Sequence, residues 1–205
     1  MMVAEELEIP VSRSGHTIQR GDIYSWGDIR VVPRPSDKML AFAYLRFDRE
    51  KLLDRIFYEG VPSISWFLQK YAEIQCFACY RVTGNDQDEI ELFGLGWVGA
   101  QETLANGWKK GEVGMAFFRK TEHRLTVDGS KLMLEYVFEE LDFDVLYGTT
   151  PEQNPAAVAH ARRLGFDIHG PVEGYCTWQG KPCGAMISSI TRERWNTMED
   201  FDGRG

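Results

Sequence analysis

A basic segment that leads into a helix is the part of the sequence best suited to binding an anion. Residues 119–134 read RKTEHRLTVDGSKLML, and positions 119–131 carry four cationic and two anionic side chains, a net charge of +2. Backbone N–H groups at the start of a helix, together with the helix dipole, favour phosphate. The segment therefore indicates either a phosphate site to which Arg119, Arg124 or Lys131 contributes or a solvated, charged surface.

Composition limits the classes of protein to which the chain can belong. It has 205 residues, 43% of them hydrophobic, which is enough for one well-filled core. Its net charge of −8 opposes binding to nucleic acids and to acidic membranes. The start, MMVAEELEIP, is acidic, and the sequence has no apolar run long enough to span a membrane. We therefore predict a cytoplasmic protein without membrane or nucleic-acid partners.

The four cysteines and four histidines do not predict a metal site. Cys76 and Cys79 lie three apart in a strand-like run, so their side chains point to opposite faces of a sheet. Cys176 and Cys183 flank TWQGKP, and a two-residue turn at 179–180 places them opposite each other on paired strands. A disulfide and two reduced thiols both fit that arrangement, and a cytoplasmic location favours the thiols.

Turn residues divide the first half of the chain into a series of elements. Two prolines in VPRPSDK separate an N-terminal extension, residues 1–38, from the rest of the chain. We predict a strand over 39–47, a helix through REKLLDRIFYE capped by Asp48, and a helix through ISWFLQKYA after Pro62 and Ser63. Three antiparallel strands should come next, at 74–82, 91–100 and 111–119.

Helix signals organise the second half of the chain. A helix through LMLEYVFEEL has the apolar spacing of one buried face, at positions 132, 133, 136, 137 and 141. After the strand DVLYGTT comes the helix in PEQNPAAVAHARRLGF, with Asn154 as its cap, Pro155 at its first position and Gly165 beyond its end. Strands at 166–178 and 181–191 complete the domain over 39–191, and residues 192–205 form a tail.

This order of elements and three of its segments resemble the GCN5-related N-acetyltransferase (GNAT) family. The segments are GEVGMAFF, KLMLEYVFEELDF and NPAAVAHARRLGF, and the resemblance covers about residues 39–191. It implies an α/β fold with α+β character, in which helices flank a central, mostly antiparallel mixed sheet. The chain looks most like the branch that acetylates protein N-termini, and in particular like divergent members encoded by tailed bacteriophages.

The resemblance also implies acetyl-CoA as the cofactor, bound where the basic segment enters its helix. Family members usually have glycines in this loop, but the equivalent positions here, Thr121 to Thr126, include none. Side chains at these positions obstruct the approach of phosphates to the backbone, so charged groups would have to contribute. Asn154 matches the cofactor-side asparagine of the family, although a helix cap explains it equally well. The residues implied at the cofactor are Phe117, Phe118, Arg119, Arg124, Leu125, Thr126, Lys131 and Asn154.

In the family, an amine attacks the thioester directly, so a group must take up the amine proton. Glu112, at the start of the fourth strand, is the candidate base, and a solvated carboxylate is the alternative. The hydroxyl-bearing positions of the last family helix are Ala157 and Ala161 here. Tyr175 or Tyr147 would have to supply a hydroxyl instead, with buried aromatic packing as the alternative for both.

Two functions are compatible with these residues. The first is an N-acyltransferase that moves an acetyl group from acetyl-CoA to a primary amine of a small molecule or a protein, a role favoured by the retained Asn154 and the family-like fourth strand. The second is a catalytically degenerate GNAT-fold protein that acts as a structural or interaction component, for example of a phage particle in the host cytoplasm or virion. The apolar segment WGDIRVVPRP, at 26–35, favours the second because it can add a strand or dock on a protein partner or a second copy.

Overall fold

A computed structural model describes residues 2–3, 24–83 and 89–198 of the chain. Its strands are β1 (Met2–Val3), β2 (Tyr24–Trp26), β3 (Ile29–Pro33), β4 (Gln75–Thr83), β5 (Glu89–Thr103), β6 (Lys109–Phe117), β7 (Val145–Pro151), β8 (Asp167–Trp178) and β9 (Lys181–Thr191). Its helices are α1 (Asp37–Arg49), α2 (Leu53–Ile56), α3 (Ile64–Glu73), α4 (His123–Glu139), α5 (Pro155–Arg163) and α6 (Arg192–Thr197).

The strands form a single mixed sheet in the order β2-β3-β4-β5-β6-β7-β9-β8, with β1 paired to β5 outside that path. Within the described ranges, every neighbouring pair is antiparallel apart from β6 and β7, which are parallel. Three residue pairs join β6 to β7, from Lys110↔Val145 to Glu112↔Tyr147, and beyond them the two strands are no longer paired. The sheet therefore opens at its middle. The α/β class with a mostly antiparallel sheet is confirmed.

Each face of the sheet has its own hydrophobic core. One core packs under α1, α2 and α3, and the other packs under α4, α5 and α6. Cys76 belongs to the first core and Cys79 to the second, which confirms that their side chains point to opposite faces. Each side chain is at least 98% buried, so neither thiol is exposed at a surface.

The predicted strand over 39–47 is wrong, because these residues lie in α1. Ser36 caps this helix by accepting a hydrogen bond from the Met39 backbone N–H at 3.3 Å. Its buried residues, Met39, Leu40, Ala43 and Phe47, recur at the helical spacing of four. The Ser-Asp pair after the second proline is thus a helix start, and the short apolar run is one face of a helix.

The helix predicted through REKLLDRIFYE is also wrong in extent. Asp48 lies in the last turn of α1 rather than at a cap, and the next helix is α2, four residues long. Lys51 interrupts the chain between the two helices with a backbone φ of 56°, which a helix does not tolerate. The helix after Ser63 is confirmed as α3, with the Ser63 Oγ accepting from the Trp66 N–H at 3.2 Å.

The remaining predicted elements are confirmed, with differences in extent at β5 and α4. The predicted strands correspond to β4 to β9, and Pro155 opens α5 behind the Asn154 cap. Gln179 and Gly180 both have positive φ and turn β8 into β9, so Cys176 pairs with Cys183 as predicted. These two cysteines, like the other two, are free thiols within the described ranges, with their Sγ atoms 3.1 Å apart. Helix α4 begins at His123, several residues earlier than predicted, and β5 extends beyond the predicted strand at both ends.

Residues on both sides of the predicted domain pack into its sheet and core. Five residue pairs join β3 to β4, and the β3 residues Ile29 and Val31 are at most 1% exposed. At the other end, Trp195 of α6 stacks on Phe138 with ring centroids 5.7 Å apart. The predicted boundaries at residues 38 and 191 therefore separate segments that are in contact, and truncation tests which part of the chain folds alone.

A truncation tests the boundary at residue 38. We expect a chain that begins at Ser36 to lose its cooperative thermal transition, because deleting β3 exposes the apolar faces of Phe77 and Cys79 and leaves β4 unpaired along one edge. A chain that begins at Tyr24 keeps β2 and β3 and is the matched control. Equal melting temperatures for the Ser36 chain and the full chain would establish an independent domain from residue 38.

Candidate cofactor and acceptor site

The opening between β6 and β7 is the centre of the candidate site. Glu112 and Tyr147 form the last residue pair before the strands separate. Side chains alternate along a strand, and their neighbours Gly111 and Leu146 face the α4 side, where a Cβ on Gly111 would meet Phe143 at 2.7 Å. Glu112 and Tyr147 therefore share the opposite face, on the side of α1 to α3.

Two tyrosines, Tyr58 and Tyr147, lie near the Glu112 carboxylate. Burial raises the pKa of Tyr58 to about 12, and the negative charge of Glu112 adds to the effect. The pKa of Tyr147 is raised by the same two causes in the same order. Both phenols therefore keep their protons at neutral pH and can donate hydrogen bonds. Tyr175 also lies near both tyrosines, but 57% of its side chain is exposed, so buried packing does not explain it.

The first turn of α4 lies at the other end of β6. The family loop positions Thr121 to Thr126 fall on the turn after β6 and on this first turn of the helix. Glu122 is the N-cap residue, yet among the described residues no side chain forms a capping hydrogen bond at this end. The Glu122 carboxylate instead pairs with Arg81, with 3.1 Å between Oε1 and Nη1. The first N–H groups of α4 thus remain available to an anion without any glycine in the loop.

The predicted phosphate ligands do not converge on one point. Arg119 donates its backbone N–H and its guanidinium to Glu50 and Lys51 at the end of α1. Arg124 is 66% exposed and lies 3.5 Å from the Asp28 carboxylate. Lys131 lies two turns further along α4, near Asp128, whose pKa is raised by burial and lowered in part by Arg124 and Lys131. The structure thus places Arg124 nearest to the start of α4 and directs Arg119 elsewhere.

The other predicted cofactor residues divide into buried and partly exposed groups. Leu125 and Phe118 are each 2% exposed and pack in the two cores, so they hold the segment in place from beneath. The Thr126 hydroxyl donates to the His123 carbonyl at 2.7 Å within the first turn of α4. Phe117 is half-buried and stacks on Phe93, at the end of β6 where the sheet is open. Of these side chains, Phe117 is the best placed to contact a ligand.

Helix α5 follows β7, and its His160 contacts Ser130 of α4 and Phe117 at the end of β6. The Asn154 Oδ1 accepts a hydrogen bond from the Ala157 N–H at 3.3 Å, which confirms the capping role. Its role at the cofactor stays a prediction. Ala157 and Ala161 give α5 no hydroxyl at the family positions, and the phenols that lie near Glu112 belong to Tyr58 and Tyr147.

Sequence reasoning missed a hydrogen bond that joins α4 to α5. The Ser130 side chain is 1% exposed, and its hydroxyl donates to the Thr126 carbonyl at 2.6 Å. Because that hydroxyl has one proton, His160 Nε2, 2.9 Å from the Ser130 Oγ, must be the donor in their contact. Phe117 packs edge-on against the His160 ring, with centroids 5.6 Å apart. No spacing in the sequence connects position 130 to position 160.

The buried imidazole makes stability depend on pH. Burial, aided by the charges of His123 and Arg163, lowers the pKa of His160 to about 4, against about 6.5 in the unfolded chain. Between these values the unfolded state binds a proton that the folded state does not, so the free energy of unfolding falls as pH falls. From pH 6.5 to 5 we expect a loss of about 2 kcal/mol from this residue. Denaturant melts of the wild type and His160→Gln test this, and equal slopes against pH would contradict it.

A mixed sheet that opens between two parallel strands, with an uncapped helix after the first of them, is the fold of the GNAT acetyltransferases. The chain belongs to that family, since the sequence profile of the acetyltransferase (GNAT) domain matches residues 34–167. No protein sequence with a curated function matches the chain. Among the described residues, no helix is long and apolar enough to cross a membrane, and no group of three or more acidic, histidine or cysteine side chains is placed to hold a metal ion.

Solved structures of other acetyltransferases have the same fold at low sequence identity. A GNAT-family acetyltransferase from Bacillus anthracis is 13% identical, with a TM-score of 0.66 over 83% of this chain and 99% of that one. The ribosomal-protein-S5-alanine acetyltransferase from Vibrio fischeri is 12% identical, with a TM-score of 0.66 over 84% and 98%. The spermidine N-acetyltransferase from Vibrio cholerae, solved with CoA and spermine, is 15% identical, with a TM-score of 0.66 over 81% and 98%.

Proposed function

We propose that the chain is an N-acyltransferase that transfers an acetyl group from acetyl-CoA to a primary amine. The observation that carries the proposal is the position of Glu112, at the point where β6 and β7 separate and beside phenols that keep their protons. When an amine attacks a thioester, a base must take up the amine proton and an acid can protonate the leaving thiolate. A carboxylate and protonated phenols at the point where the two strands separate can fill these two roles. The proposal extends to a cytoplasmic location and to a phage-encoded origin, which rest on the sequence alone.

The residues present fit acetyl-CoA at two places. Beyond Glu112, the backbone of β6 from Val113 onward is unpaired on the β7 side, so its polar groups can pair with an extended amide chain. The uncapped first turn of α4 suits a pyrophosphate, with Arg124 beside it. The Glu122 carboxylate opposes an anion here, and its ion pair with Arg81 partly neutralises that charge. Lys131 adds positive charge further along the same helix.

Each chemical step has a residue to perform it. Bound acetyl-CoA supplies an acetyl thioester as the electrophile. Glu112, directly or through one water, takes the proton from the attacking ammonium and leaves a neutral nucleophile. Tyr147, Tyr58 or the exposed Tyr175 can donate a proton to the departing thiolate, and the two with raised pKa values hold that proton at neutral pH.

The negative charges around Glu112 favour a positively charged acceptor. Burial and the neighbouring Cys183 raise the pKa of Cys176 to about 12, and the charges of Glu59 and Glu152 contribute. With Glu112, these carboxylates place negative charge around the side of the site that faces β8. An amine that carries a positive charge before it reacts is attracted to such a surface. Both a small-molecule amine and a protein N-terminus meet this requirement.

The apolar segment at 26–35, which favoured a purely structural role, has another explanation. The segment at 26–35 adds a strand, but it adds that strand to the sheet of its own chain through β3. We therefore do not propose the structural alternative.

Calorimetric titration with acetyl-CoA tests the cofactor half of the proposal. We expect binding that weakens at high salt, because charges near the surface are screened over about 8 Å at physiological ionic strength. Arg124→Ala should weaken binding about tenfold or more, since a charge-assisted bond contributes about 1.5 to 3 kcal/mol. Arg49→Ala removes an equal charge from an exposed position of α1 and is the matched control, which should change affinity less than twofold.

Absence of binding near millimolar acetyl-CoA at low salt would overturn the enzyme proposal. If binding did not depend on salt and Arg124→Ala left it unchanged, the phosphates would be bound by backbone groups alone. The acceptor half is tested by the release of CoA thiol in the presence of spermidine or an alanine-initiated peptide.

A further inference from the structure

Arg119 connects the start of the cofactor segment to the end of α1. Its backbone N–H donates to the Glu50 Oε2 at 2.7 Å. Its guanidinium donates through Nε to the Glu50 carbonyl at 2.6 Å and through Nη2 to the Lys51 carbonyl at 3.2 Å. The side chains of Arg119 and Glu50 thus hold the segment after β6 against the end of α1. The sequence had predicted that Arg119 binds a phosphate instead.

The Glu50 carboxylate is held from both sides. Its second oxygen, Oε1, pairs with the Arg46 Nε at 3.0 Å, and both side chains are only 18% exposed. Arg46 in turn lies 3.9 Å over the Phe118 ring and donates to the Leu92 carbonyl at 2.9 Å. The network therefore fixes the end of β6 to the end of α1 through a shielded Arg46–Glu50 ion pair and through the solvent-exposed hydrogen bonds of Arg119, several of which are charge-assisted.

The chain that leaves this network ends beside the candidate acceptor site. Lys51 has a left-handed φ of 56°, a conformation that a non-glycine residue keeps only when its surroundings hold it. Seven residues further, Tyr58 packs against Cys176 and Cys183, and its carbonyl lies 3.5 Å from the Thr177 hydroxyl. Tyr58 is also one of the phenols next to Glu112. Residues 50–58 therefore run from the cofactor segment at one end to the acceptor side at the other.

We propose that Arg119 is a positioning residue that couples cofactor binding to the order of residues 50–58, and so to the acceptor side of the site. The proposal rests on the proposed function, because it requires CoA at the start of α4. Arg119 lies four residues before the first helical residue, His123, so a ligand that fixes this turn also fixes Arg119. Through Glu50 and Lys51, the same event orders the segment that carries Tyr58. Coupling between two sites needs such a shared, physically connected element.

Hydrogen–deuterium exchange of the full chain, with and without saturating CoA, tests the coupling directly. In the wild type, we expect CoA to slow amide exchange in two separate regions, 119–126 and 50–58, by about fivefold or more in each. In Arg119→Ala, region 119–126 should keep its CoA-dependent protection and region 50–58 should lose it. Arg49→Ala removes an equal charge from an exposed neighbouring position of α1 and should behave as the wild type.

Glu50→Gln is a second variant, which tests the coupling even if Arg119→Ala destabilises the protein. It keeps the shape of the side chain and a hydrogen-bond acceptor but loses the negative charge that faces Arg46 and the Arg119 backbone N–H, so protection of 50–58 should fall and that of 119–126 should not. Undiminished protection of 50–58 in both variants would overturn the role of Arg119. Protection of 119–126 alone in the wild type would overturn the coupling and leave the proposed function standing. Absence of protection in both regions would overturn the two together.

Discussion

Glu112→Gln should lower the rate of acetyl transfer by about a hundredfold or more, the loss typical of removing a general base. The amide is nearly the same shape as the carboxylate but cannot take up the proton of the attacking ammonium. Because Glu112 faces the acceptor side, acetyl-CoA should bind the variant with unchanged affinity, so the loss should appear in kcat. Steady-state rates of CoA thiol release, with the best amine acceptor found for the wild type, measure it.

Glu102→Gln is the matched control for this substitution. Glu102 is an exposed carboxylate of the neighbouring strand β5 and pairs with Lys110 at 2.9 Å. Removing its charge should change the rate less than threefold, since an exposed ion pair contributes little. A rate for Glu112→Gln within threefold of the wild type would assign the proton to another group, and the exposed Tyr175 would be the next to replace.

Phe166→Ala should reduce the free energy of unfolding by about 3 to 5 kcal/mol, as expected for deleting a buried ring. The Phe166 side chain is 5% exposed, and it packs in the α4-side core with Leu164, Ile190 and Phe138. This contact attaches the end of α5 to the sheet, so the loss should appear whether or not the protein is an enzyme. Urea melts of both proteins at pH 7 give the difference.

An exposed aromatic residue supplies the comparison. Trp108, between β5 and β6, is 47% exposed, and its replacement by Ala should cost less than about 1 kcal/mol. If Phe166→Ala cost no more than Trp108→Ala, the end of α5 would not be anchored in the core as the structure places it.

Local sequence signals predicted the second half of the fold. The apolar spacing along α4 and the Asn-Pro and Gly punctuation of α5 correspond to the observed buried face and helix ends. The two residues between β8 and β9 set the register that pairs Cys176 with Cys183. In each case the signal lies within a few residues of the feature that it predicts, so no distant contact can alter it. The family resemblance rests on these same segments.

The structure decided the features that depend on contacts between distant segments. The run at 39–47 is apolar enough for a strand, and the structure shows one of its faces buried against α3 and the sheet, as in a helix. Arg119 looks like a phosphate ligand until the end of α1, about 70 residues earlier in the chain, is brought against it. Ser130 and His160 meet because α4 and α5 lie over the same face of the sheet.

The candidate catalytic site shows the same division. The sequence, with its family resemblance, identified Glu112, but its environment comes from three other segments, which supply Tyr58, Tyr147 and Tyr175. Burial and electrostatic interaction depend on distance in space rather than along the chain. The sequence by itself therefore determined which residue types are available at the site, and the tertiary structure decided which of them act on one another.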